Sequence, residues 1–484
     1  MSRKPYKFYV SPFTDRYSSP DMRYIWSEEY KYERWRYLWS ILASGQKQLG
    51  IDISDEQIQE MNDNISSIDM DRVSEIEKEM KHDVMAHITA FGEVAPSAKP
   101  FIHLGATSQF VVDNADSLAM KDSLLLIINK TVSVIERLSE SAEAYASVPT
   151  VGLTHLQPAQ PVTVGKRIMM WVQELVIALE DIGFKLDNMR VRGISGATGS
   201  KLSFLELFEG DEDKVYELDR LICTGMGFSA DKSLTITGQT YPRILDSSIM
   251  SALCLLASAC NKICGDIRIL SGRGEISEGF NEGSQKGSSA MPYKRNPIRS
   301  EKVCSLSRHM MSLAQTFYHT SANQWMERSL DDSAGRRIAM PEAFLVMDEV
   351  LETMIRISGD MVPDLETIKN NYSKESYKFL SENLIIAFTT ENGCDRQDAH
   401  EYVQYIMGMV ENHDGNRIEE IKRLLRKPSK SAKENNKKVV GNIDIDSVID
   451  GCLDMTGMCE RDVTSYKQNV VDTLMKHYKQ REVE

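Results

Sequence analysis

A chain of 484 residues, 42% of them hydrophobic and 26% charged, has enough material for a sizeable core and for two to four domains, although a long helical bundle would exceed the usual domain size. Its formal charge of −14 argues against nucleic acid as a partner, because phosphate contacts need cationic surface. The opening residues MSRKPYKFYVSPFTDRYSSP hold no apolar core of the signal-peptide kind, and no run of about 18 apolar residues is expected to span a membrane, so a cytoplasmic protein is expected.

In chain order, the first chemistry-bearing segment is KHDVMAH, which begins at Lys81. His82 and His87 are five residues apart, a spacing that suits one helix face less well than three or four. We therefore expect substrate contact from His82 beside Asp83, and packing or capping from His87. Next, HLGATSQFVVDN places Thr107 and Ser108 in a glycine-containing turn ahead of a helix. Such hydroxyls and amides suit a carboxylate or phosphate, or simply cap the helix. Asp113 and Asn114 read as caps opening a long helix over residues 114–146, and Pro149 with Gly152 marks an excursion after it.

In THLQPAQ, His155 stands between a hydroxyl and an amide in a proline-interrupted segment, as a turn histidine satisfied by backbone or as a general acid near neutral pH. Residues 166–190 then place Ile168, Trp171, Val172, Leu175, Leu179, Ile182, Leu186 and Met189 on one apolar stripe. Similar periodicity covers residues 241–272, 298–322 and 341–359. The fold class is therefore all-α, in three helical parts: residues 1–105, a central long-helix bundle over 106–363, and a C-terminal part over 364–484. Helices of this length expose apolar faces that other subunits can bury.

Between two of these helices, Glu278 opens a stretch with Gly279, Gly283 and Gly287 that reads as a mobile loop, leading into GSSAMPYKRNP at 287–297. Two serines, two cations and an amide there suit the capture of a small carboxylate and removal of a proton beside it. Eight cysteines, Cys223, Cys254, Cys260, Cys264, Cys304, Cys394, Cys452 and Cys459, include no CxxC pair, so reduced thiols are expected. Cys260 and Cys264 would share a helix face, but no histidine lies near them in sequence, and no metal is expected. The sequons at Asn64, Asn129 and Asn371 carry no weight without a secretory route. The lysine-rich stretch at 422–442 reads as a solvated connection.

Proton removal beside a carboxylate produces a doubly charged aci-carboxylate, so elimination needs a base, fixed positive charge and an acid for the leaving group. The motifs HDV at 82–84, GATS at 105–108, THLQPAQ at 154–160, GQTY at 238–241, GSSAMPYKRNP and WMERSLDDSAGRR at 325–337 occur together. Their order resembles the aspartase and fumarase superfamily, and its nucleotide-cleaving branch in particular, from Arg16-Tyr17 to at least Gln397. The resemblance implies a fumarate-releasing lyase acting on succinyl nucleotides, without a cofactor, as a homotetramer with shared active sites. It implies Ser288 as base, Lys294 and Asn296 as holders of the carboxylate, His155 as acid and Glu301 as its orienting partner. It also implies Arg16, Tyr17, Arg328, Ser333 and Arg337 on the nucleotide, with Gln239, Thr107 and Ser108 nearer the succinyl group. Lys81 and Lys302 stand where the family usually carries arginine, which keeps the charge and loses the bidentate fork.

Overall fold

Helix starts are written into the sequence as short polar side chains. Ser19, Ser27, Ser54, Asp69, Asp211, Asp364, Asp395 and Asn416 each accept a backbone N–H from the turn that follows. The computed structural model describes residues 8–280, 287–427, 443–453 and 456–481. Helices dominate it, so the class is all-α, with only short strands among the described residues. The chain divides into two compact units, one made of Met1–Thr131, Ile177–Lys262 and Lys302–Met354, the other of Val132–Val176, Ile263–Glu301 and Ile355–Glu484.

The first unit begins with α1 (Pro20–Ile25), α2 (Glu28–Gln48), α3 (Asp55–Asp63), α4 (Met70–Met80) and α5 (Asp83–Val94). Trp35, Trp39, Phe91 and Phe110 pack there with Phe204 of α8 (Leu202–Leu207) and Leu218 of α9 (Glu212–Gly225). His87 lies inside this core, its ring 3.8 Å from that of Tyr32. His103 accepts the Trp39 indole N–H at Nδ1, 2.8 Å away.

The long helices are α6 (Ser108–Ala144), α7 (Val164–Asp187), α10 (Ile244–Gly272), α11 (Ile298–Ala322) and α12 (Asp332–Asp360). On α7 the expected stripe is buried from Ile168 to Ile182. Three expectations are corrected. Helix α6 begins at Ser108, so Asp113 and Asn114 are interior residues that carry tertiary bonds and cap nothing. Helix α12 begins nine residues before Pro341, which sits inside it without an N–H to offer the preceding turn. Helix α10 contains a window of mean hydropathy 1.5, apolar and long enough to cross a membrane by composition, of which 56% is buried within the protein.

A chain of buried charge fixes these helices within the first unit. Arg243 of α10's approach donates to Asp113 on α6 at 2.9 Å and to Asp332 on α12 at 2.7 Å, with all three side chains essentially inaccessible. Arg336 reaches Asp246 at 2.8 Å, Asp116 at 3.2 Å and the Tyr241 hydroxyl at 2.6 Å, while Tyr241 donates to Asp246 at 2.6 Å. The Tyr241 N–H is held by the second oxygen of Asp113.

In the second unit, β1 (Pro149–Thr154) and β2 (Gln157–Thr163) form an antiparallel hairpin, and β3 (Ile276–Ser277) pairs antiparallel with β4 (Val362–Pro363). Val151 packs into a core of Tyr377, Leu380, Leu384 and Phe388 from α13 (Leu365–Thr390) with Tyr402 and Ile406 from α14 (Arg396–Val410). Helix α15 (Arg417–Arg426) and helix α16 (Ile445–Leu453) add to it. Most of the expected lysine-rich connection, residues 428–442, lies outside the described residues, as does Gly283.

Arg243→Met leaves the buried Asp113 and Asp332 without their shared cation, so stability should fall by about 3–5 kcal/mol, read as the shift in urea unfolding at neutral pH. A second expectation concerns acid. Burial holds the pKa of both His87 and His103 down at about 4, below the ordinary 6.5. Since the unfolded chain takes up these protons first, stability should be full above about pH 6.5 and decline towards pH 4. Unchanged urea midpoints over that window would contradict it.

Candidate functional site

The described part of the signature loop is shaped by backbone contacts. A Cβ on Gly287 would lie 1.8 Å from the Lys294 carbonyl oxygen, so only glycine permits this approach. The Asn296 amide donates to the Gly287 carbonyl at 3.0 Å and closes the turn. Inside it, the Ser288 Oγ accepts the N–H groups of Ala290 at 3.2 Å and Met291 at 3.1 Å. Two donors aimed at one hydroxyl oxygen favour negative charge there, which a serine base requires. Lys294 is exposed, as is Glu301 in the first turn of α11.

Glu278 corrects part of the mobile-loop expectation. It is buried, and its carboxylate accepts the N–H groups of Arg299 and Ser300 at 2.8 Å each, with the Ser300 hydroxyl at 2.7 Å. The residue that opens the loop thus caps the helix that ends it. Arg299 in turn reaches Asp360 at 2.6 Å. Sequence reasoning missed this role, because no local pattern links an acid to a helix start some twenty residues later.

His155 and Leu156 are the two turn residues of the β1–β2 hairpin, both left-handed, with φ of 54° and 60°. Such turns favour Asn-Gly, and a side chain at each position costs roughly 1–2 kcal/mol. The turn holds the imidazole exposed at the tip of a short rigid ribbon. Among the described residues no hydrogen bond joins His155 to Glu301.

The first unit gathers the remaining residues in separate places. Arg16 and Lys302 both lie 5.9 Å from the centre of the Tyr17 ring. Lys302 also meets Glu349 at 2.6 Å, whose other oxygen accepts the Ser18 N–H at 2.7 Å. Further along, Arg328 reaches Asp332 at 3.0 Å, so the buried Arg243 chain ends on a candidate binding arginine. Gln239 is clamped through its backbone, donating to the Glu327 carbonyl at 2.8 Å and accepting from Arg192 at 2.6 Å. Ser333 and Arg337 line a cavity of about 240 Å³. Asp332 and Glu349 lie at opposite parts of α12, and Arg337 and Glu349 are about 18 Å apart along the axis at 1.5 Å per residue.

Lys81 ends α4 in a left-handed conformation with φ of 58° and is exposed. His82 caps α5 through Nδ1, which accepts the Met85 N–H at 3.4 Å and lies 3.5 Å from Asp83. Thr107 and Ser108 are half-buried where α6 begins, with the Thr107 carbonyl accepting the Phe110 N–H at 2.8 Å.

The profile of a family described as Lyase matches residues 13–312. Adenylosuccinate lyase of Schistosoma mansoni is 44% identical over 394 residues, covering 81% of this chain and 82% of that protein. The adenylosuccinate lyase of Schizosaccharomyces pombe is 41% identical over 429 residues, covering 87% and 88%. Among solved structures, 3-carboxy-cis,cis-muconate lactonizing enzyme from Pseudomonas putida matches with a TM-score of 0.77 at 19% identity, over 96% of this chain and 99% of that one, which speaks to the fold alone.

Glu278→Ala removes the acceptor for three donors at the base of the loop. Hydrogen exchange at residues 287–300 should accelerate at least tenfold while α7 stays protected, an effect of about 1–3 kcal/mol. Unchanged exchange in the loop would show that its base is held by other contacts.

Proposed function

Given that the chain belongs to the adenylosuccinate lyases, fumarate-eliminating lyases of purine metabolism, we propose that it cleaves two succinyl nucleotides, adenylosuccinate and succinyl-carboxamide imidazole ribotide, at sites shared between the subunits of a cytoplasmic homotetramer. The observation that carries the chemical assignment is the Ser288 hydroxyl oxygen facing two backbone N–H groups. With its proton lost, Ser288 takes a proton from the succinyl carbon next to the carboxylate. Lys294 balances the charge that grows on that carboxylate, with Asn296 shaping and completing the pocket. His155 then gives its proton to the leaving nitrogen, with Glu301 orienting its ring and supporting the imidazolium. The C–N bond breaks, a C=C bond forms, and fumarate leaves beside the amino nucleotide.

Arg328, Ser333 and Arg337 bind the nucleotide, as do Arg16 and Tyr17. Gln239, Thr107, Ser108, His82 and Asp83 approach the succinyl part, with Lys81 and Lys302 supplying further positive charge. Two observations support assembly from several chains. The Tyr17 cluster and Arg337 are separated along α12. Helix α7 also carries Met170, Ile177 and Phe184 at seven-residue spacing with 47%, 52% and 60% of their surfaces exposed, an apolar stripe that suits a neighbouring helix.

Fumarate release followed by ultraviolet absorbance with each succinyl nucleotide tests the activity; turnover of neither would remove the substrate assignment. Ser288→Ala and His155→Ala should each reduce kcat by about 10²–10⁴ with the fold intact. Mixing the two inactive proteins and allowing subunits to exchange should leave about a quarter of sites without either lesion when the residues come from different chains. Activity should return in that proportion, and mixed tetramers that remain inactive would overturn the shared site.

A further inference from the structure

The cavity lined by Ser333 and Arg337 has a third candidate ligand that neither the motifs nor the resemblance supplied. Lys31, on α2, is part of its wall. The ammonium lies 5.1 Å from the centre of the Tyr32 ring and 4.9 Å from that of Trp35. Among the described residues it forms no ion pair. Burial, the leading influence, pushes its pKa below the ordinary lysine value; the Asp116 charge works against this and the nearby Arg337 charge adds to it. Ring faces attract a cation but do not replace the hydration that burial removes.

Asp116, Asp83 and Glu28 offset part of that effect, Asp116 most, but among the described residues none of them forms an ion pair with Lys31. Asp116 is taken by Arg336 at 3.2 Å, and Glu28 is exposed to solvent. Arg336 and Asp116 line the cavity too but pair with each other, which leaves the Lys31 ammonium, the Arg337 guanidinium and the Ser333 hydroxyl as donors in its wall that form no ion pair or side-chain hydrogen bond among the described residues. Two cations and a donor suit a compact dianion better than a single carboxylate, because each phosphoryl oxygen can take its own donor. Resting on the assignment of Ser333 and Arg337 to the nucleotide, we propose that Lys31 is a further binding residue, which contacts the phosphomonoester of the substrate in this cavity.

The proposal accounts for an otherwise costly arrangement. A lysine stacked on two aromatic rings is held in one place before ligand arrives, so little side-chain freedom is lost on binding. An incoming phosphate would also restore the stability of the charged form and raise the lysine pKa.

The test compares AMP, adenosine and succinate binding by calorimetry in the full-length protein carrying Lys31→Met, Lys31→Arg or Arg337→Ala. Lys31→Met should weaken AMP by roughly tenfold or more, leave adenosine and succinate unchanged, and flatten the salt dependence of AMP binding. Lys31→Arg should retain most of the affinity. AMP bound by Lys31→Met as tightly as by the parent, with Arg337→Ala impaired, overturns the role of Lys31 while the nucleotide assignment stands. If Arg337→Ala also binds AMP normally, the assignment beneath it fails too. A selective loss of succinate instead would make the anion a carboxylate and overturn the phosphate reading. A measurement independent of folding uses the unaltered protein: AMP and inorganic phosphate should slow acetylation of Lys31 by acetic anhydride several-fold, whereas adenosine should not. Equal rates in all three overturn the proposal.

Discussion

One guanidinium between two carboxylates, Arg243 between Asp113 and Asp332, is the contact on which the order of the first unit depends. Each of the three would be costly to bury alone, and the pairings make their removal from water tolerable. The consequence is positional. Asp113 fixes α6 and the N–H of Tyr241, Asp332 fixes the start of α12, and Arg328 bonds to the same Asp332. The candidate binding arginine therefore inherits its place from a carboxylate that hydrophobic packing alone could not have oriented. Directional bonds set the register here, while apolar burial supplies the larger share of the driving force.

Backbone groups play the corresponding part in the second unit. Glu278 ties the loop's entrance to the first turn of α11, and Gly287 lets the Lys294 carbonyl approach closely enough for the Ala290 and Met291 N–H groups to face Ser288. Placing donors by main-chain geometry costs little reorganisation when charge develops on the oxygen. The hairpin does the same for His155, with two left-handed residues at its tip held by strands that pack on α13. Strain tolerated in that turn fixes the direction of an exposed imidazole.

How far this was legible follows from the range of each signal. The stripe from Ile168 to Ile182 repeats at helical spacing, so α7 was plain, and α11 was placed over residues 298–322 as found. The motifs also identified the family. Tertiary bonds were not legible. Asp113 beside a helix start looks like a cap until its partner, 130 residues away, is known. The proline-rich hairpin has too little alternation to announce strands, and its register slips between Val151 and Leu153. In the pair Arg336-Arg337 the sequence offers two equal cations, yet a helix points successive residues about 100° apart, so Arg336 is held by Asp116 and Asp246 while Arg337 stands in the same cavity wall without an ion pair among the described residues.

Lysine suits position 302 because of how its partner carboxylate is already engaged. Glu349 divides its carboxylate, giving one oxygen to the Ser18 N–H and the other to Lys302. A fork-shaped guanidinium gains most when both oxygens are available, and here one is already taken by backbone. A single-point cation meets the remaining oxygen at 2.6 Å while still lying near the Tyr17 ring, which Arg16 approaches as well. The Ser18 backbone is left-handed at φ 67°, and its N–H bond to Glu349 holds the Arg16-Tyr17 segment against α12. Charge at 302 therefore serves two ends, neutralising Glu349 and placing a cation near the segment's aromatic ring. Both depend on the sign of the charge more than on a bidentate shape, so replacing arginine by lysine preserves the arrangement that the local backbone has already built.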